Sequence, residues 1–127
     1  MANEEILLKL QMLEQQSDEI RQQLESVEAQ KVDMEVLKLG LVKIGKSNEM
    51  LANLGRGIFL KTKVEDNKVF VNVGSKVFVK KSFPEAEDII DKQLSEIGNI
   101  KKELMRSMDN INSELSELVE EARKENQ

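Results

Sequence analysis

The chain has 127 residues, 39% of them hydrophobic and 34% charged, with four Phe, no Trp or Tyr and a formal net charge of -5. That is poor material for a large aromatic core, and the acidic balance argues against general affinity for nucleic-acid phosphates or anionic membranes. Cys and His are both absent, which excludes disulfides and thiolate or imidazole metal sites and removes the usual nucleophile and base pairs. An enzyme is therefore not expected, and neither a metal nor a cofactor is implied.

From Glu4 to about Lys46, apolar residues recur at alternating steps of three and four: Ile6, Leu10, Leu13, Ile20, Leu24, Val27, Met34 and Leu41, with Ser17, Lys31 and Lys38 in the remaining slots. This is the a/d seam of a coiled-coil helix. Gly40, Gly45 and the Ser47-Asn48 pair lower helix propensity in succession, so the helix is expected to end near Lys46. Its first turns carry Leu7, Leu8 and Met12 in addition to the seam, more apolar surface than one partner helix covers. The stretch from Met1 to Lys9 is acidic before it is apolar, and no apolar run reaches the ~20 residues of a membrane span. A soluble, cytoplasmic protein without membrane contact is expected.

Composition then switches to Val, Phe, Ile, Thr and Lys with period-two alternation, in Gly57 to Val64, Lys68 to Val73 and Lys76 to Lys81, with a weaker strand from Glu49 to Leu54. Asp66-Asn67 is a turn signal. Gly74-Ser75 reads as a two-residue hairpin loop of type II′, with Gly74 at the positive φ. Gly55-Arg56-Gly57 lacks the third glycine and the following helix of a phosphate loop, and reads as a tight turn. Alternation puts Val69, Val71 and Val73 on one face with Val77 and Val79. Phe70 and Phe78 fall on the other with Lys68, Lys76 and Lys80, and Phe59 shares that face with Lys61 and Lys63. Phe interleaved with Lys permits RNA stacking, packing between subunits, or half-buried rings with solvated Lys neighbours.

Ser82 and Glu85 stand in capping-box spacing, with Pro84 in the first turn, so a second helix is expected from residue 83 to 125. Its seam is Ile90, Leu94, Ile97, Leu104, Met108, Ile111, Leu115, Leu118 and Ala122, interrupted by Lys101. Two such helices hide their seams by pairing antiparallel. Matching Ile6 with Ala122 brings the chain ends together and sets Lys31 beside Ile97 and Lys101 beside Val27, so each seam Lys must snorkel or find a carboxylate. Leu115, Leu118 and Val119 then lie near Leu7, Leu8 and Met12. This end is either a frayed or packed terminus or an exposed apolar surface.

Helix, four short strands containing "VFVNVGSKVFVKKS" (Val69 to Ser82), and an acidic-started helix of matching length together resemble prefoldin, and the four-strand linker resembles its α-type subunit. The resemblance implies one α+β domain spanning 1 to 127: a coiled-coil hairpin of helices 4 to 46 and 83 to 125, with a strand block from 49 to 81 that forms a barrel between subunits. It implies a hexamer with other prefoldin-type subunits, hetero-oligomeric or homo-oligomeric, whose coiled coils hold unfolded clients for a group II chaperonin without ATP. The client-binding tip would comprise Ile6, Leu7, Leu8, Leu10, Met12, Leu13, Leu115, Leu118 and Val119. Phe59, Phe70 and Phe78 would pack between subunits. The competing expectation is a coiled-coil adaptor or scaffold that binds one folded partner.

Overall fold

A computed structural model describes residues 2–125; residues 1, 126 and 127 of the expected domain lie outside the described residues. The order is α1 (Ala2–Ser47), β1 (Glu49–Gly55), β2 (Ile58–Lys63), β3 (Lys68–Gly74), β4 (Val77–Ser82) and α2 (Phe83–Glu125). Both helices and all four strands anticipated from the pattern are present. The chain divides into two units, Met1–Gln30 with Glu96–Gln127 and Lys31–Ser95.

In the first unit α1 and α2 run antiparallel: the Ser17 hydroxyl donates to Met108 Sδ at 3.5 Å, and Lys101 Nζ donates to Glu28 at 3.1 Å. Ile6, Leu13, Ile111 and Leu118 form the buried cluster, with Leu10, Ile20, Leu115 and Ala122 packed on it. These are the a/d positions of both helices, so the heptad spacing alone accounts for what this unit buries. Lys101, set by the sequence register beside Val27, reaches the carboxylate one residue further on.

In the second unit Leu41, Phe83, Ala86 and Ile90 are buried, and Met34, Ile44, Leu94, Val64 and Val69 pack against them. Phe83 is the aromatic ring inside this core. A Cβ on Gly45 would lie 3.4 Å from that ring, in ordinary van der Waals contact, so α1 passes directly beside it. The other two seam lysines of α1 also find carboxylates: Lys38 bonds Asp91 at 2.6 Å, and Lys31 pairs with Glu35 at 3.9 Å.

The end of α1 is a left-handed cap. Asn48 has φ 56° and donates its N–H to the Ile44 carbonyl at 3.1 Å, an arrangement asparagine tolerates better than most residues. Its own carbonyl accepts from the Val64 N–H at 2.8 Å, tying the end of the first hairpin to the helix exit. At α2 the capping box forms: Ser82 Oγ accepts the Glu85 N–H at 3.2 Å and donates to Glu85 Oε1 at 3.0 Å.

The strands pair only locally, β1 with β2 and β3 with β4, giving two separate two-stranded antiparallel sheets. Asp66-Asn67 stands between β2 and β3, where it links the two hairpins. Phe59 and Phe70 accordingly belong to different sheets and do not share a face. The second hairpin loop also departs from expectation. Gly74 pairs with Val77, and Ser75 and Lys76 have φ 48° and 62°, so the loop is Ser75-Lys76 with a type I′ pattern. Lys76 thereby leaves the Phe70 face for the turn. Gly74 sits at a register shift, its N–H bonded to Asn72 Oδ1 at 3.0 Å.

The first hairpin repeats this arrangement. Gly55 pairs with Ile58, Arg56 and Gly57 carry φ 53° and 79°, and the Gly55 N–H donates to Asn53 Oδ1 at 2.8 Å. Asn53, Gly55, Phe59 and Lys61 recur 19 residues later as Asn72, Gly74, Phe78 and Lys80, in the same register. The strand block thus repeats one hairpin register at an offset of 19 residues.

Candidate functional site

Two surfaces stand out, one in each unit. In the first, Lys9, Met12, Leu13 and Gln16 of α1 and Glu114, Glu117, Leu118 and Glu121 of α2 line an open groove of about 440 Å³. Its floor is the edge of the seam. The nine residues expected here separate by helical phase. Ile6, Leu13 and Leu118 are buried and Leu10 and Leu115 half-buried, all spent on holding the two helices together. Leu7, Leu8, Met12 and Val119 are 51–60% exposed. At 100° per residue, Leu7 and Met12 flank the seam on opposite sides and Leu8 points away from it. Val119 lines a second shallow groove with Asn112, Leu115 and Ser116.

The same end is strongly acidic. Residues 3–19 and 112–125 contain ten Asp and Glu against three Lys and Arg, and all ten carboxylates are exposed. No ion pair engages Glu114, Glu117 or Glu121 among the described residues.

In the second unit the strand block leaves Phe59, Phe70 and Phe78 exposed, at 56%, 70% and 61%, together with Leu51, Leu54, Ile58, Val73 and Val77. In the second hairpin, Phe70 lies opposite Lys80 and Phe78 opposite Asn72, on the face away from half-buried Val69, Val71 and Val79. A hydrogen bond from Lys80 holds the Asp66 carboxyl below the usual aspartate range, and the same ammonium sits 5.9 Å from the Phe70 ring centre. Asp66 thus partly neutralises the cation that an RNA-binding face would need. Lys38 is raised above its ordinary value chiefly by its bond to Asp91, and Glu85 is lowered chiefly by its bond from Ser82.

A further apolar stripe of α1 lies outside the seam. Val32, Val36 and Leu39 are exposed along one stripe of α1, roughly opposite Met34, Lys38 and Leu41. Its steps of four and three are legible in the sequence, but they fall on the face of α1 away from the heptad seam.

Two long helices flanking paired hairpins, with apolar side chains outside both cores, define a coiled-coil assembly subunit. The prefoldin-subunit family model matches residues 6–127, and the chain belongs to the prefoldin family, a family of chaperone subunits. It is similar to prefoldin subunit alpha 1 of Methanocaldococcus jannaschii, 28% identical over 118 residues that cover 93% of this chain and 83% of that one. It is also similar to prefoldin subunit alpha of Methanosphaera stadtmanae, 28% identical over 86 residues covering 66% of this chain and 62% of the relative. Both relatives are alpha subunits, in keeping with the two-hairpin linker. A solved structure, filamentous PFD from Methanocaldococcus jannaschii, superposes with a TM-score of 0.76 at 17% identity, covering 88% of this chain and 96% of that one. Assembly with other prefoldin subunits follows from the family. Among the described residues no helix is long and apolar enough to cross a membrane.

Proposed function

We propose that the chain is a subunit of an ATP-independent, cytoplasmic holding chaperone that grips non-native polypeptides at the chain-end tip of its helices and passes them to a group II chaperonin. The observation that carries this reading is the exposure of Leu7, Leu8 and Met12. Three large apolar side chains lie within the first turns of one helix, outside the seam that stabilises it. A scaffold that recognises one folded partner has no need of a loose apolar excess, whereas a client of unspecified sequence is best met by adaptable side chains, methionine included. In the proposed assembly the strand blocks form the barrel between subunits, with Phe59, Phe70 and Phe78 as its packing residues, and a hexamer of mixed subunits is the expected stoichiometry. Two-stranded hairpins are marginal alone and gain stability when neighbours cover their faces.

Changing Leu7, Leu8 and Met12 to Ser tests the reading. Burying about 56 Å² of apolar surface at ~25 cal/mol per Å² gives about 1.4 kcal/mol, a factor of ten in affinity, so these three side chains are sufficient for a large effect. Suppression of aggregation of an unfolded client should require at least about tenfold more of the variant, with oligomer mass unchanged. Lys61→Ser with Lys63→Ser is the control and should hold the client as wild type does. A tip variant that protects fully while the strand variant fails would move the client site to the strand block.

A further inference from the structure

We infer that the client segments favoured by the chain-end groove are apolar stretches flanked by Lys and Arg. This rests on the holding function proposed above and names the chemistry of what is held. The groove combines an apolar floor, Met12, Leu13 and Leu118, with a rim of three carboxylates, Glu114, Glu117 and Glu121. Lys9 is the one cation lining it, and the rim carboxylates have no ion-pair partner among the described residues. The wider end carries ten acidic against three basic residues, whereas the strand block, residues 49–82, carries three acidic against seven basic. The charge of the chain is thus divided by location, and its acidic part surrounds the apolar side chains that remain free.

The physical consequence is selective. An apolar segment entering the groove brings its flanking side chains to the rim. Cationic flanks meet uncompensated carboxylates, while anionic flanks meet like charge. Each exposed pair is weak, but several act together and within a Debye length of about 10 Å at 0.1 M salt. The preference should therefore be large at low ionic strength and small at high. Apolar burial in the same groove is not screened and should persist.

The test uses the purified assembly and three fluorescent peptides with one apolar core, flanked by Lys, by Ser or by Glu, titrated by anisotropy. The Lys-flanked peptide should bind at least about tenfold tighter than the Glu-flanked one at 50 mM NaCl and less than about threefold tighter at 500 mM. Glu114→Gln with Glu117→Gln and Glu121→Gln should remove the preference, bringing the Lys- and Glu-flanked peptides to within about threefold of each other at 50 mM NaCl. Equal binding of all three peptides at low salt overturns charge selection and leaves the holding function standing. A Lys preference that survives the triple variant overturns the groove as its source. Failure of every peptide to bind overturns the holding function itself, and this inference with it.

Discussion

Ser82 closes β4, opposite Lys68, and opens α2 as its N-cap. Replacing it with Ala should cost about 1 kcal/mol, the usual value of such a cap, measurable by urea or thermal unfolding. Its partner Glu85 supplies a pH test. The bond from Ser82 lowers the folded-state pKa of Glu85 below the ordinary glutamate value of about 4.3. A lowered pKa means stability that is present above that ordinary value and lost as pH falls through the folded value. Glu85→Gln, which keeps the box but removes the charge, should melt below wild type at pH 7, and the gap should shrink as pH falls below the ordinary glutamate value and through the lower folded one. A gap that stays constant over this range would show that the charge on Glu85 plays no part. Asp66, lowered by Lys80, adds to acid sensitivity, while Lys38, raised by Asp91, loses its contribution only as pH rises through the alkaline range.

At the scale of elements, the hairpin loops hold a store of strain. Ser75 and Lys76 both occupy left-handed backbone, which costs a residue with a Cβ roughly 1–2 kcal/mol. Lys76→Gly should raise the melting temperature, because Gly57 already fills the same position of the other loop without penalty. A drop instead would mean that the Lys76 side chain holds something the loop geometry does not reveal. The same loops mark where the sequence stopped being legible. The helix seams were readable because heptad spacing dictates which residues a two-helix pair buries, and the capping box fixed the start of α2. The loop lies one residue later than the sequence suggests: Gly74 does take a positive φ, of 124°, but at the bulge bonded by Asn72, which puts the two-residue loop at Ser75-Lys76. Phe83 is not legible as core because it adjoins a strand rich in exposed Phe, and its burial rests in part on Leu41 of α1, distant in sequence. The separation of Leu7, Leu8 and Met12 from the seam was visible in helical phase. The acidic rim was visible only as charge, since which carboxylates border the groove depends on how α2 lies against α1.

For the molecule as a whole, assembly is the property most open to measurement. Phe70→Lys with Phe78→Lys should lower the mass of the oligomer in light scattering while helical circular dichroism stays near wild type, because both rings lie outside the chain's own cores. Val36→Glu with Leu39→Glu charges the outer stripe of α1 and provides the comparison. If that pair dissociates the oligomer while the Phe pair leaves it whole, the helix stripe and not the strand faces carries assembly. The repeated hairpin register has a further consequence, one of timing. Two hairpins of matching register could exchange strands, β1 with β4, since Leu51 would meet a Lys and Asn53 a Phe in either pairing. A ribosome adding about 5–20 residues each second needs roughly 1–4 s to traverse the 19-residue offset, whereas a hairpin closes in about 1–10 μs. By the time the second hairpin emerges, the first has had some hundred thousand opportunities to close on itself, so vectorial synthesis separates two partners whose strands share one register.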